Sequence, residues 1–403
     1  MCGIGGYLFN KVEDNFDAFS PLNLMIQRMS NRGPDGNGKW LSDCKMAGFC
    51  HTRLAVIDVN DRSRQPMTSL CGGYMIVFNG EIYNYKLIRE SLIAKGIKLR
   101  TTSDTEAILE LFVLYGNAAF QKLRGMFAIS IYEIKTKSYT LARDPYGIKP
   151  LYIAKCKNGW AFASQVKSLI ASKIVSNSPS ASGQFGFWLY GSVPEPYTWY
   201  EDITALQPGS WVCINSDGVS LPVSFSNISA TWTNEGISDY SFSEVKERLQ
   251  SAVHESIFSH LISDVPIGLF LSGGVDSGVL AGVMSESIEN AAAITLKFDE
   301  YNGIDDESID AAFMAKKYNM EHYIKVVNKI EFDNDIDAIM HDMDQPTIDG
   351  FNTWYASKTA AEFRLKVCLS GVGADEILCG YPSFSRVPFC LLYTSPSPRD
   401  RTR

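Results

Sequence analysis

The sequence predicts a two-domain protein, with a mixed α+β first half built on antiparallel sheets and an α/β second half built on a parallel sheet. Three observations support this fold class. At 403 residues, the chain is too long for one ordinary hydrophobic core. Apolar runs separated by turn residues fill the first half, whereas strand, loop and helix alternate in the second. The two patterns meet at a stretch rich in Ser, Asn, Thr and Gly.

Short strands and hairpins account for most of the first half. Asn158-Gly159 is a preferred two-residue hairpin turn, and the runs on either side of it predict two paired strands. Apolar residues at helical spacing predict helices at 86–95 and 105–115. The predicted strands are 75–82, 127–134, 138–144, 151–155 and 160–164.

The second half repeats a unit of strand, loop and helix, which predicts parallel strands covered by helices. We place the first domain at residues 2–213, a connection at 214–240 and the second domain at 241–390. The predicted strands are 265–271, 292–298, 323–327 and 366–369. The predicted helices are one from about Asp276, 307–318 and 354–362.

The last residues do not fit either domain. Thr394 to Arg403 reads TSPSPRDRTR and has no helical or strand pattern. We therefore treat 391–403 as unstructured. Two readings stay open: a disordered tail, or a foreign stretch such as a translated cloning sequence.

The composition argues against several protein classes. A formal net charge of -8 without any run of Lys or Arg argues against a nucleic-acid partner and a polybasic membrane anchor. The longest apolar stretch, 265–284, is broken by polar residues and predicts no membrane span. Nine scattered cysteines without a Cys-x-x-Cys pair or a secretory leader predict reduced thiols in a cytoplasmic protein. The histidine spacing predicts no structural zinc site.

The amino terminus carries the strongest local signal. Cys2 follows a Met that processing readily removes, which would leave Cys2 with a free α-amine. That amine has a reference pKa of about 7.7–8.0 and can act as the base for its own thiol. Attack of the thiol on the carboxamide of glutamine would give a thioester and ammonia. By itself, a cysteine at position 2 could equally well have no catalytic role.

Further residues could complete such a site. Asn79 and Gly80 offer a side-chain amide and a backbone N–H for an oxyanion, although Asn-Gly is also a plain turn signal. Arg53 could bind the α-carboxylate of glutamine, or form a surface ion pair. Asp104 could bind the α-ammonium, or simply cap a helix.

Six blocks in the first half resemble the glutaminase domain of asparagine synthetases. They are MCGI, NRGPDG (31–36), HTRLAVID (51–58), FNGEIYN (78–84), SDTE (103–106) and RDPYGIKPLY (143–152). The resemblance implies the four-layered αββα sandwich of N-terminal-nucleophile hydrolases, with Cys2 as nucleophile. It also implies a glutamine pocket lined by Arg53, Leu54, Ala55, Val56, Ile57, Asn79, Gly80, Glu81 and Asp104.

A Gly-rich loop, Ser272 to Ser277, lies between a predicted strand and a predicted helix. Its SGGxDS form resembles the pyrophosphate loop of enzymes that adenylate a substrate, which implies ATP and an ATP-pyrophosphatase fold. A second loop, 370–376, follows another predicted strand. Asp276 and Asp375 could share Mg²⁺. The predicted nucleotide contacts are Leu271, Ser272, Gly273, Gly274, Asp276, Ser277, Leu296, Ser370 and Gly371.

One departure from the family pattern concerns the acceptor, and another concerns the length of the second domain. Val372 stands where asparagine synthetases usually carry a Glu that is implicated in forming the acyl-adenylate. The family's second domain also continues beyond this length, through a basic residue that stabilises adenylation. We therefore expect an apparently truncated chain that keeps glutaminase chemistry and synthesises little or nothing.

The predicted function is a glutamine- and ATP-dependent asparagine synthase that acts on aspartate, and we allow for a homodimer. Amidation of a different carboxylate and a glutaminase-only or non-catalytic remnant stay open. Two other amidotransferases fit less well. β-Lactam-forming synthetases tend to lose the amino-terminal Cys, and sugar-phosphate amidotransferases lack SGGVDS.

Overall fold

The computed structural model describes residues 1–13, 15–233, 240–299 and 306–387. These residues form two compact units. The first contains residues 1–266 and 333–354, and the second contains the rest of the described chain. The predicted tail at 391–403, the end of the predicted second domain (388–390) and part of the predicted connection (234–239) lie outside the described residues.

The first unit contains two antiparallel sheets and their helices. Its strands are β1 (Gly3–Phe9), β2 (Gly36–Leu41), β3 (Ala47–Arg53), β4 (Met67–Thr68), β5 (Tyr74–Ile82), β6 (Gly125–Glu133), β7 (Ser138–Arg143), β8 (Tyr152–Cys156), β9 (Gly159–Ala163), β10 (Ile203–Ala205), β11 (Ser210–Asn215), β12 (Gly218–Val219) and β13 (Val223–Ser224). Its helices are α1 (Ser20–Arg28), α2 (Tyr85–Ala94), α3 (Asp104–Tyr115), α4 (Val166–Ala171), α5 (Ala181–Tyr190), α6 (Ile228–Thr233) and α7 (Phe242–His260).

Side chains from both sheets form the central core of this unit. The first sheet has the order β10-β8-β9-β1-β3-β2, and the second has the order β12-β11-β7-β6-β5-β4. Alternate residues of each strand point inward, as period-2 alternation requires. Phe49 and Phe162 from the first sheet pack with Val77 and Tyr139 from the second.

The outer face of each sheet packs against helices. Ile76 and Ile129 of the second sheet pack with Ile108 of α3. Tyr7 of the first sheet packs with Met25 of α1 and Leu169 of α4. The result is a helix–sheet–sheet–helix sandwich, which confirms the predicted αββα fold.

The end of the first unit differs from the predicted boundary at residue 213. Strand β11 continues through residue 215, and β12 and β13 pair with it through residue 224. Helix α7 begins at Phe242 with a capping box formed by Ser241 and Glu244, yet it also belongs to the first unit. A Ser- and Asn-rich composition does not exclude strand pairing, because the main-chain N–H of every residue except Pro can donate to a neighbouring strand.

The second unit contains a four-stranded parallel sheet in the order β16-β15-β14-β17. This confirms the predicted parallel-sheet half. The strands are β14 (Ile267–Phe270), β15 (Ala292–Phe298), β16 (Glu321–Val327) and β17 (Val367–Leu369). The remaining helices of the described residues are α8 (Val275–Ser285), α9 (Ser308–Lys317), α10 (Lys329–Asp342), α11 (Gly350–Glu362) and α12 (Ala374–Leu378). The division of the chain between the two units falls within α10.

Candidate active site

The Cys2 side chain lies against the chain that follows strand β3. Strand β1 pairs with β3 so that Gly3 lies opposite Thr52, and this register brings Cys2 to the end of β3. The Leu54 N–H donates a hydrogen bond to Cys2 Sγ over 3.4 Å, and Sγ donates to the Leu54 carbonyl over 3.5 Å. The predicted nucleophile and the predicted pocket segment therefore meet.

Burial sets the protonation of both groups at the amino terminus. It raises the pKa of the Cys2 thiol, and it lowers the pKa of the α-amine to about 5. The lowered pKa is that of the Met1 amine; removal of Met1 would leave the α-amine of Cys2 as the base for its own thiol. A neutral amine beside a protonated thiol is the starting state for base-assisted attack.

The Arg53 guanidinium is fixed by backbone carbonyls. It donates to the carbonyls of Asp58 over 2.5 Å and of Asn60 over 3.0 Å. Asp58 is buried, with a φ of 45°, and its carboxylate accepts from the Thr102 N–H and hydroxyl. These contacts hold the charge of Arg53 in one place, which suits recognition of a carboxylate.

Strand β5 presents the candidate oxyanion donors. Asn79 is buried, and its Nδ2 has no hydrogen-bond partner among the described residues. A buried donor without a partner is costly, so this amide is available to an incoming oxygen. At Gly80, an added Cβ would lie 2.1 Å from the Met126 carbonyl oxygen, so only glycine fits there. Burial raises the pKa of the partly buried Glu81.

Asp104 is buried at the first turn of α3. Ser103, not Asp104, is the N-cap, because its side chain accepts from the Glu106 N–H. Burial raises the pKa of Asp104 to about 7, and the nearby charge of Glu81 adds to this shift. An ammonium group bound beside Asp104 would favour its ionised form and lower this pKa.

Two cations near Cys2 were missed as site residues in the sequence. Arg32 Nε donates to the Cys2 carbonyl over 3.0 Å. Lys149 is buried, and its charge acts on both Cys2 and Glu81. Burial lowers the pKa of both cations. Both lie in blocks that carry the family resemblance, 31–36 and 143–152, and this was the signal available for finding them.

In the second unit, the Ser272–Ser277 loop connects β14 with α8. Ser277 Oγ accepts from the Ser272 N–H over 3.1 Å, which closes the loop. The Gly273 N–H donates to the Glu307 carboxylate over 3.3 Å. An acidic oxygen therefore lies on one backbone donor of the loop, as a phosphate oxygen would.

The second predicted nucleotide loop lies beside the first. Strand β17 pairs in parallel with β14, so the loops follow neighbouring strands at one edge of the sheet. A Cβ added at Gly371 would lie 3.0 Å from the Asp276 Cβ. Leu271 is buried next to β15, the strand that carries Leu296. No cluster of three or more His, Cys, Asp or Glu side chains suited to a metal occurs within the described residues.

Comparison with protein families identifies the first unit. Residues 1–225 match the family described as a glutamine amidotransferase domain. The chain belongs to this family. Residues 244–399 of the same amidotransferase chain match the family described as asparagine synthase. The order of the two matches is the order predicted from the motifs.

Curated relatives are similar to this chain over most of its length. The chain is 35% identical to asparagine synthetase [glutamine-hydrolyzing] 1 of Bacillus subtilis, over 94% of its own length and 59% of that protein. It is 30% identical to a putative asparagine synthetase of Mycobacterium tuberculosis, over 97% of its own length and 62% of that protein. The chain thus spans about three fifths of the length of these relatives.

A solved structure of glutamine phosphoribosylpyrophosphate amidotransferase from B. subtilis is also similar. The identity is 14% and the TM-score is 0.42, with 92% of this chain and 93% of that chain covered. Among the described residues, no helix is both long enough and apolar enough to cross a membrane.

Proposed function

We propose that this chain releases ammonia from glutamine with Cys2 and transfers it to an ATP-activated carboxylate. The product with aspartate as acceptor would be asparagine, with AMP and pyrophosphate released. The contact between Cys2 Sγ and the Leu54 backbone carries the proposal, because it joins the nucleophile to the pocket segment. The membership of the chain in the glutamine amidotransferase family supports it.

In the first half-reaction, the neutral α-amine takes the proton of the Cys2 thiol, and Sγ attacks the side-chain carbonyl carbon of glutamine. Asn79 Nδ2 and the Gly80 N–H donate to the oxyanion that forms. The C–N bond then breaks, and the proton returns to the departing nitrogen, which leaves as ammonia. Water hydrolyses the thioester to glutamate. Arg53 and Asp104 would hold the α-carboxylate and the α-ammonium.

In the second half-reaction, an acceptor carboxylate oxygen attacks the α-phosphorus of ATP, and pyrophosphate leaves. Ammonia then displaces AMP from the acyl-adenylate. The loops that carry Ser272 and Gly371 would hold the phosphates, because they lie together at the carboxyl ends of neighbouring strands. Asp276 and Asp375 would hold Mg²⁺, which takes carboxylate and phosphate oxygens and would neutralise phosphate charge.

The chain departs from the asparagine synthetase pattern at a position that bears on the acceptor. Val372 is 91% exposed on the second loop, and its side chain can neither accept a proton nor bind a cation. A carboxylate other than aspartate is therefore the second candidate. A chain that only hydrolyses glutamine is the third candidate, because Val372 can take no part in activating an acceptor.

The test measures glutamate and pyrophosphate with glutamine and then with ammonium chloride as the nitrogen source, for wild type and Cys2→Ala. The proposal expects Cys2→Ala to lose glutamate formation and to keep pyrophosphate release with ammonium and aspartate. Glutamate release without pyrophosphate for any carboxylate would leave glutaminase function alone. A folded wild-type chain that releases neither product would contradict the proposal.

Location and assembly belong to the same proposal. We propose a cytoplasmic protein, since the nine scattered cysteines include no Cys-x-x-Cys pair. A homodimer is the assembly to be tested, by light scattering during gel filtration. We propose no nucleic-acid partner, because the net charge is -8.

A further inference from the structure

A short segment after α10 packs onto the amidotransferase sandwich. Residues 333–354 belong to the first unit, although they lie within the stretch that matches the asparagine synthase family. The Lys167 ammonium and the Arg28 guanidinium both donate to the His341 carbonyl, each over 2.8 Å. The Trp199 N–H donates to the Gln345 side chain over 2.9 Å.

Asp344 lies at the centre of this segment. One of its carboxylate oxygens accepts from the Val166 N–H over 2.9 Å, and the other accepts from the Lys167 N–H over 3.0 Å. These N–H groups belong to the first turn of α4, where backbone donors lack partners within the helix. The carboxylate therefore fixes the start of α4 by two charge-assisted hydrogen bonds.

The start of α4 is joined to the strand that follows Cys2. Just before the helix, the Ser164 N–H donates to the Ile4 carbonyl over 2.9 Å, and the Ile4 N–H donates to Ser164 Oγ over 3.0 Å. Ile4 is the second residue of β1, two residues after Cys2. Asp344 thus anchors a turn that holds the nucleophile's strand from one side.

Arg32 provides a second connection from Asp344 to Cys2. The Arg32 guanidinium is partly buried, and Asp344 is the foremost charge that favours its ionised form. Arg32 Nε in turn donates to the Cys2 carbonyl over 3.0 Å. Arg32 therefore holds the Cys2 backbone, and the negative charge of Asp344 favours the ionised form of its guanidinium.

We propose that Asp344 is a positioning residue for the glutaminase reaction, acting on Cys2 through Arg32 and through the Ser164 turn. It touches neither the nucleophile nor the glutamine pocket residues Arg53 and Asp104. Its loss should therefore slow attack by Sγ and leave glutamine binding nearly unchanged. The inference rests on the proposed glutaminase function.

The experiment compares Asp344→Asn with Asp337→Asn, an equal change at an exposed position of α10. Initial rates of glutamate release give kcat and KM. The concentration of reactive Cys2 is measured by titration with a diazoketone analogue of glutamine, and kcat is calculated from that concentration. Asp344→Asn should lower kcat roughly 10-fold, since a small misplacement of a reacting group is enough for such a loss. Its KM should stay within about twofold of wild type, and Asp337→Asn should match wild type.

A double-mutant cycle with Arg32→Ala tests the route. Because the two residues act in series, the Asp344→Asn substitution should lower kcat by a smaller factor in the Arg32→Ala background than in the wild-type background. The proposal would be overturned if the double variant lost the full product of the two single reductions in kcat. An unchanged kcat in Asp344→Asn, or an equal loss in Asp337→Asn, would also overturn it. If Asp344→Asn does not fold, Arg32→Lys replaces it. That variant keeps the α4 contacts and must still lower kcat.

The rate at which iodoacetamide alkylates Cys2 separates this inference from the proposed function, because alkylation needs no turnover. A wild type without glutaminase activity would contradict the proposed function alone. Slower alkylation in Asp344→Asn, but not in Asp337→Asn, would still support the positioning role. Equal alkylation rates in all three proteins would contradict it.

Discussion

The backbone of Leu54 faces the thiol of Cys2 with both of its hydrogen-bonding groups, the N–H at 3.4 Å and the carbonyl at 3.5 Å. The N–H can stabilise a thiolate, and the carbonyl can hold the thiol proton. Residues 52 positions apart in sequence therefore share one reactive centre.

Alkylation of Cys2 by iodoacetamide should have a pH midpoint above the ordinary thiol value of about 8.5, because burial raises the pKa of this thiol and only the thiolate reacts. Lys149→Met should move the midpoint further upward, since it removes a buried positive charge that acts on Cys2. Mass spectrometry of the Cys2 peptide across pH measures this. Lys155→Met, at an exposed position of β8, is the control, and an unshifted midpoint in Lys149→Met would refute the role of that charge.

Asn79→Ala should lower kcat for glutamine hydrolysis by about 10²–10³, because it removes a donor to the oxyanion. KM should change little, since the donor acts mainly in the transition state. Asn84→Ala is the matched control. Its amide donates to the Lys122 carbonyl, away from Cys2, and the variant should keep wild-type kcat. Equal losses in both variants would indicate a structural effect.

The value of kcat/KM for glutamine should fall as the pH drops below about 7, because Asp104 then becomes protonated in the free protein and loses its charge for the ammonium group. Asp104→Asn should lose this acidic limb and show a raised KM. The pH–rate profile between pH 5 and pH 8 measures both effects. A wild-type profile with its limb near the ordinary Asp value would exclude Asp104 as the titrating group.

Asp104 should also affect stability with a definite sign. Its folded pKa, about 7, lies above the ordinary Asp value of 3.8, so its contribution to stability is present below the unfolded pKa and is lost as the pH rises through the folded pKa. Asp104→Asn should therefore gain stability relative to wild type between about pH 4 and pH 8. Urea unfolding at both pH values measures the difference. A constant difference would contradict the raised pKa.

Arg143→Met should destabilise the first unit by about 1–3 kcal/mol, because it leaves the buried carbonyls of Leu206 and Lys149 without this donor. The Arg143 guanidinium also makes two hydrogen bonds to Glu195, whose side chain is 44% exposed and can be hydrated in the variant. Arg124→Met is the control, since the Arg124–Glu255 ion pair is exposed and should contribute about 0–1 kcal/mol. Chemical denaturation measures the free energy of unfolding of both variants. Similar losses of stability would contradict the role of the buried hydrogen bonds of Arg143.

The sequence alone determined the order of the two halves and the strands and helices around the motifs, and it predicted Cys2 as the nucleophile. The reason is local: period-2 and period-3.6 patterns and turn residues act over a few positions, so neighbouring residues report them. The predicted strand 75–82 and strand β5, Tyr74–Ile82, differ by a single residue.

Only the tertiary structure decided which distant groups meet. Sheet register places Leu54 on Cys2, and packing places Asp344 at the start of α4 and Lys149 beside Glu81. The same packing withdraws water from Cys2, Asp104 and the α-amine, and burial is the main cause of each pKa shift. Burial depends on the whole fold and leaves no local mark in the sequence, because desolvation is caused by residues that are far apart along the chain.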